Sequence, residues 1–200
     1  MGLMLSDSMI NAKVGSEVGD FGRSYYFYLG VQVRLTFQDQ VFTNFRELDL
    51  EHHAFRWVDI KRFRLFWPDA DDVHLLAELI GHEQYRDDCA GGGVEAGGLR
   101  QGPYWLRNLS PTAYAHIDEA GAKTLLLGWE RQCGPLPAAL SGRLKCEVRP
   151  LVAEATGRYR LKDLGCEVFH DWGGVHTDFH ELILIDRAAG TLSLLVTADD

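Results

Sequence analysis

Histidine, aspartate and glutamate crowd into one short stretch of this 200-residue chain, where His170, Asp171, His176, Asp178, His180 and Glu181 precede the apolar run Leu182 to Ile185. Read as a strand, residues 177–185 alternate faces with a two-residue period. That puts His176, Asp178 and His180 on one side and Glu181 on the other. Two imidazoles and a carboxylate on alternate positions form a donor set that Zn²⁺ or non-haem Fe²⁺ prefers, so one expectation is a metal held by His176, Asp178 and His180, with Zn or Fe as the cofactor. A second is metal-free: Asp178 holds one tautomer of His180 and sets its basicity, and the pair serves as a catalytic acid–base group. A third is a wet strand end where Asp178 and His180 satisfy each other.

The same face continues as Leu182 and Leu184, so these polar residues are expected where an apolar interior meets solvent. His170-Asp171-Trp172-Gly173-Gly174 reads as the loop feeding the strand, with His170 and Trp172 as ligand-binding wall residues or, alternatively, as a Trp-anchored tight turn. His176-Thr177-Asp178 is similar to the H-x-D element of non-haem iron oxygenases in that tripeptide alone. No histidine follows His180 to supply the third ligand which that family takes from farther along the chain, so membership is not inferred. No G-x-S-x-G elbow marks a nucleophile beside the pair. His52-His53 and His82-Glu83 offer further donors from distant segments.

Elements must bring such residues together, and several are legible. Tyr25 to Phe37 is apolar at every odd position, the mark of a long strand with one buried face. Arg143 to Arg149 alternates in the same way, with Leu144, Cys146 and Val148 facing inward. Ile117 to Leu127 and Ile185 to Leu195 each read as strand, turn and strand, with an Asp to bond the turn backbone and a Gly able to take positive φ. Phe55 to Trp67 switches apolar parity twice and reads as two short strands or one bulged strand. One helix is clear: Asp71 or Asp69 caps it, Val73, Leu76, Ala77 and Ile80 follow helical spacing, and Gly81 stops it. Ser110-Pro111 opens either a second helix or a strand.

With 46% hydrophobic and 24% charged residues the chain has the composition of a folded protein, and its length suits a single globular domain over residues 1–200. A flexible N-terminal end over about residues 1–20 and a glycine-rich loop near 90–103 are expected within it. The fold class expected is α+β and β-dominated: an antiparallel curved sheet, barrel or sandwich with one or two short helices. A formal charge of −9 argues against nucleic acid as a partner. Arg56, Lys61, Arg62 and Arg64 among aromatic residues therefore read first as a solvated strand face. Four scattered cysteines without a C-x-x-C pair read as reduced thiols, and no secretory leader or membrane span is read, which places the chain in the cytoplasm.

The function expected is binding of a small molecule, with or without catalysis, in a pocket lined by aromatics and the His/Asp strand face. The alternative is a non-catalytic module that binds a partner protein through an aromatic sheet face or strand edge.

Overall fold

The computed structural model describes residues 35–48, 53 and 55–200. Strands β1 (Leu35–Asn44) and β2 (Arg56–Leu65) pair antiparallel, with an irregularity between Phe37 and Asp39. Of the strand expected over Tyr25 to Phe37, only Leu35 to Phe37 fall among the described residues, and there they open β1. The lead-in at residues 1–20 also lies outside them. β2 is one uninterrupted strand, and the irregularity belongs to its partner. Its shifting parity has a simple cause: nearly every position is buried, because both faces of this strand are covered.

Asp71 caps helix α1 (Asp72–Gly81) by accepting from the His74 N–H at 2.9 Å. The helix stands where expected, but its buried face is Leu75, Leu76 and Leu79, while Val73 is 62% exposed. The glycine-rich stretch ends in a tight hairpin of β3 (Arg100–Gln101) and β4 (Tyr104–Trp105). Ser110-Pro111 opens neither a long helix nor a long strand: a single turn over Pro111–Ala113 leads directly into β5 (Tyr114–His116).

The expected hairpin at 117–127 is instead helix α2 (Glu119–Arg131), and the expected strand at 143–149 is covered mainly by helix α3 (Ala138–Glu147). In α2 the Asp118 carboxylate accepts from the Gly121 N–H at 2.7 Å, which is helix capping rather than turn chemistry. Its buried Ala122, Leu126 and Trp129 follow i, i+4, i+7. In α3, Leu140 and Leu144 are buried while Cys146 is exposed, and Val148 is buried one turn farther on. Residues four apart fit both periods, so the apparent alternation came from a helical stripe. A short helix α4 (Arg149–Glu154) leads to β6 (Gly157–Leu161).

β7 (Asp178–Asp186) and β8 (Thr191–Asp199) form the expected hairpin: Asp186 Oδ1 accepts from the Ala189 N–H at 3.0 Å and Gly190 has φ +67°. Among the described residues the main sheet has six antiparallel strands in the order β1-β2-β8-β7-β6-β5 and does not close into a barrel. Alternation along β7 sorts the core into two layers. Ile183 and Ile185 join Leu75, Leu76, Leu79 and Tyr85 on the α1 face, while Leu182 and Leu184 join Leu126, Trp129, Leu140 and Leu144 beneath α2 and α3. Among the described residues no helix is long and apolar enough to cross a membrane. The four cysteines are free thiols.

Candidate functional site

β7 begins at Asp178, and its period aims Asp178 and His180 to the α2 side with Leu182 and Leu184. His180 Nε2 stands 3.1 Å from Asp178 Oδ1, and the second carboxylate oxygen of Asp178 accepts from Gln132 Nε2 at 2.7 Å. Burial lowers the His180 pKa below its ordinary value, outweighing the opposing pull of Asp178. The imidazole is therefore neutral at neutral pH. With Nε2 directed to the carboxylate, Nδ1 has no partner among the described residues and keeps its lone pair.

Strand register adds a cation to this end of the sheet. Arg56 on β2 lies opposite Asp199 on β8, which lies opposite Asp178 on β7. The Arg56 guanidinium is buried 4.0 Å over the Trp129 ring, donates to the Trp129 and Glu130 carbonyls at the end of α2, and has its Nη1 3.3 Å from His53 Nδ1. Its Nε lies 4.0 Å from Asp199 and makes no hydrogen bond, and the buried Thr197 hydroxyl, opposite His180 in the register, makes none either. Burial holds the Arg56 pKa below its ordinary value.

His176 does not join the pair. It precedes β7 at the end of a single turn, so the strand's alternation does not reach it. Its ring packs against Trp57 and Phe179 on the α1 face, with Nδ1 2.8 Å from Asp200 and Nε2 3.0 Å from the Asp88 carbonyl. Both nitrogens meet acceptors. Burial disfavours the charged ring, but the bonds to Asp200 and Asp88 outweigh it and raise the His176 pKa. The metal triad of His176, Asp178 and His180 is thus divided between two faces of the sheet, and among the described residues no three His, Cys, Asp or Glu side chains are grouped to hold a metal ion.

His170 and Trp172 stand apart as well. His170 is buried, with Nε2 2.7 Å from the Gly102 carbonyl and Nδ1 accepting from the Trp172 N–H at 3.1 Å, so it locks the turn to the β3–β4 hairpin. The Trp172 ring is 59% exposed. His82 caps the turn that follows α1 by accepting from the Gln84 N–H and packs on Phe63, away from the Asp178 end of the sheet.

Glu181 points to the opposite face, as its parity requires, into a polar network that sequence reasoning missed. Its carboxylate accepts from Gln101 Nε2 at 2.7 Å, from Tyr85 at 3.3 Å and from Tyr114, whose hydroxyl also meets that of Tyr85. Gln101 Oε1 accepts from the Asp87 N–H at 3.4 Å, linking this group to a second one. There Lys61 Nζ contacts Asp87 at 2.7 Å, Asp59 at 3.8 Å and the Gln84 carbonyl at 3.0 Å, and Gln40 donates to Asp59 at 2.8 Å. Burial raises the pKa of Glu181 against the pull of its three donors, and it raises Tyr85 and Tyr114 well above the ordinary phenol value. Only the parity of Glu181 was visible in advance. Two members of the basic run, Arg56 and Lys61, are thus buried and paired rather than solvated, whereas Arg62 is partly exposed and pairs with Asp39 at 2.8 Å.

No protein-family model matches the chain, and no curated protein or solved structure shows significant similarity to it.

Proposed function

We propose that this protein binds a small molecule at the Asp178 end of β7, with His180 as the proton acceptor. The carrying observation is the 3.1 Å approach of His180 Nε2 to an Asp178 carboxylate that Gln132 itself holds in place. A neutral imidazole oriented through one nitrogen and open at the other is the arrangement that general-base chemistry uses. Arg56 Nε and the Thr197 hydroxyl, both buried and without a hydrogen-bond partner, lie in the same rows of the sheet. A metabolite screen by ligand-observed NMR tests this. The reading requires a ligand whose binding is lost in His180→Ala and Asp178→Asn while circular dichroism stays that of the parent. Ligands that bind both variants as they bind the parent would refute it.

One observation favours a second reading, a partner-protein surface. Phe42 on the outer strand β1 is 54% exposed with its ring 5.8 Å from Trp57. A protein partner lost on Phe42→Arg but retained on His180→Ala would support that reading over the first.

A further inference from the structure

His176 joins three segments that are far apart in the chain. The single turn over Gly173–Val175 delivers its ring to the α1 face just before β7, and the side chain is buried there. Nδ1 lies 2.8 Å from Asp200 Oδ1, and Nε2 lies 3.0 Å from the Asp88 carbonyl. An ionised carboxylate oxygen and a peptide carbonyl have no proton to give, so both partners can only accept.

The number of protons on the ring follows from these contacts. A neutral imidazole has one N–H and one lone pair, so at one of the two contacts it would set a lone pair against an oxygen. The imidazolium donates to both. The charged groups facing the ring are the Asp200 and Asp88 carboxylates, and Arg100 is paired with Asp88 at 3.3 Å. Trp57 on β2 and Phe179 on β7, which pack against the ring, carry no charge. The nearest charges are therefore anionic and favour the imidazolium against burial.

The two ends of this link are not equally fixed. Asp200 is anchored to the sheet: its second carboxylate oxygen accepts from Trp57 Nε1 at 3.0 Å, and its N–H donates to the Phe55 carbonyl at 3.0 Å. Asp88 stands at the entry of the glycine-rich loop, where its carboxylate accepts from Arg100 and from the Ala90 N–H at 3.1 Å. Loss of a proton from the ring thus has a directed effect. The remaining N–H stays on Nδ1, because an ionised carboxylate is a stronger acceptor than a carbonyl. Nε2 then turns a lone pair toward the Asp88 carbonyl, and that contact becomes repulsive.

We propose that His176 is a pH-controlled latch: as imidazolium it ties the entry of the glycine-rich loop at Asp88 to Asp200 at the end of β8, and on deprotonation it lets go of the loop while keeping Asp200. Asp88 and residues of that loop line a cavity of about 260 Å³, so release alters the shape of its wall. The latch is closed below the folded-state pKa of His176, which is raised above the ordinary imidazole value, and it opens as pH rises through that point.

The test is an NMR titration of the full chain from mild acid to alkaline pH. It reads the imidazole nitrogens together with the Asp88 carbonyl carbon and the Cys89 amide nitrogen, which belong to the peptide unit that Nε2 contacts. In mild acid both His176 nitrogens should carry protons. As pH rises Nε2 should lose its proton while Nδ1 keeps one, and the Asp88–Cys89 signals should move with the same midpoint. Exchange of the Cys89 and Ala90 amides, which bond to the Asp87 and Asp88 carboxylates, should then quicken beyond the intrinsic effect of pH by roughly tenfold or more, as loss of a charged hydrogen bond implies. Asp200→Asn should lower the ring and loop midpoints together, whereas His180→Ala should leave both unchanged. The proposal fails if one His176 nitrogen is already bare in mild acid, if the ring titrates without moving the peptide signals or the amide exchange, or if the two midpoints part in Asp200→Asn.

Discussion

His180 and Glu181 are neighbours in the chain, yet they serve opposite faces of one sheet: His180 meets Asp178 on the α2 side, and Glu181 meets Tyr85, Tyr114 and Gln101 on the α1 side. A single strand therefore carries a partly exposed His–Asp pair and a closed polar network back to back. The first leaves one imidazole nitrogen without a partner among the described residues. The second has every carboxylate oxygen occupied and is held for stability.

The two faces should respond differently to substitution. Tyr114→Phe leaves a fully buried carboxylate short of one donor, and the expected loss of stability is about 1–3 kcal/mol. Tyr85→Phe should cost less, because its 3.3 Å bond to Glu181 is long. Urea unfolding of both variants measures this, and equal losses would contradict the assigned geometry.

Lys61 is 2% exposed and lies between two carboxylates. Lys61→Met removes the cation and leaves Asp87 and Asp59 buried against each other, which should destabilise the fold by about 3–5 kcal/mol. Returning the cluster to its parent net charge with Asp87→Asn in the same chain should recover part of that loss. Chemical denaturation of the single and double variants decides the matter.

His176 gives the fold a pH signature. Its pKa is raised in the folded state, so the stability it adds is complete below the ordinary imidazole value of about 6.5 and is lost as pH rises through the folded value. Glu181 and Asp59 are also raised and act with the same sign over a range that begins at carboxylate values. Comparison with Asp200→Asn separates His176 from these, since that change removes the Nδ1 partner. The stability gap between parent and variant should be widest in mild acid and should narrow toward alkaline pH. A gap that widens instead would refute the pairing.

At the candidate site, burial lowers the His180 pKa and Asp178 opposes that shift. Asp178→Asn should therefore lower the His180 pKa further, which an NMR titration of the imidazole protons reads directly. A rise, or no change, would show that the carboxylate does not act on the ring.

What could be read in advance follows a physical rule: features set by neighbours in the chain were legible, and features set by distant partners were not. The β7–β8 hairpin was visible because Asp186 and Gly190 build the turn themselves. The α1 cap was visible for the same reason. α2 was misread because Asp118 can start a turn or cap a helix, and α3 because residues 144 and 148 satisfy both periods. The Asp178–His180 contact lies within one strand and was expected. His176 was misplaced because strand alternation was carried past the true start of β7. The Glu181 network draws on residues 67 to 96 positions away, so no local pattern announces it.

The order of strands sets a constraint on how the molecule is made. β8 lies between β2 and β7, although it is the last of these elements to leave the ribosome. A nascent chain halted before Thr191 holds β1 with β2, and β5 with β6 and β7, as two separate pieces of sheet with no strand to join them. Each piece then presents an unpaired inner edge of the kind that captures other chains. Folding during synthesis must wait for the central strand, and until it emerges the two half-sheets depend on chaperones or on speed to keep those edges apart.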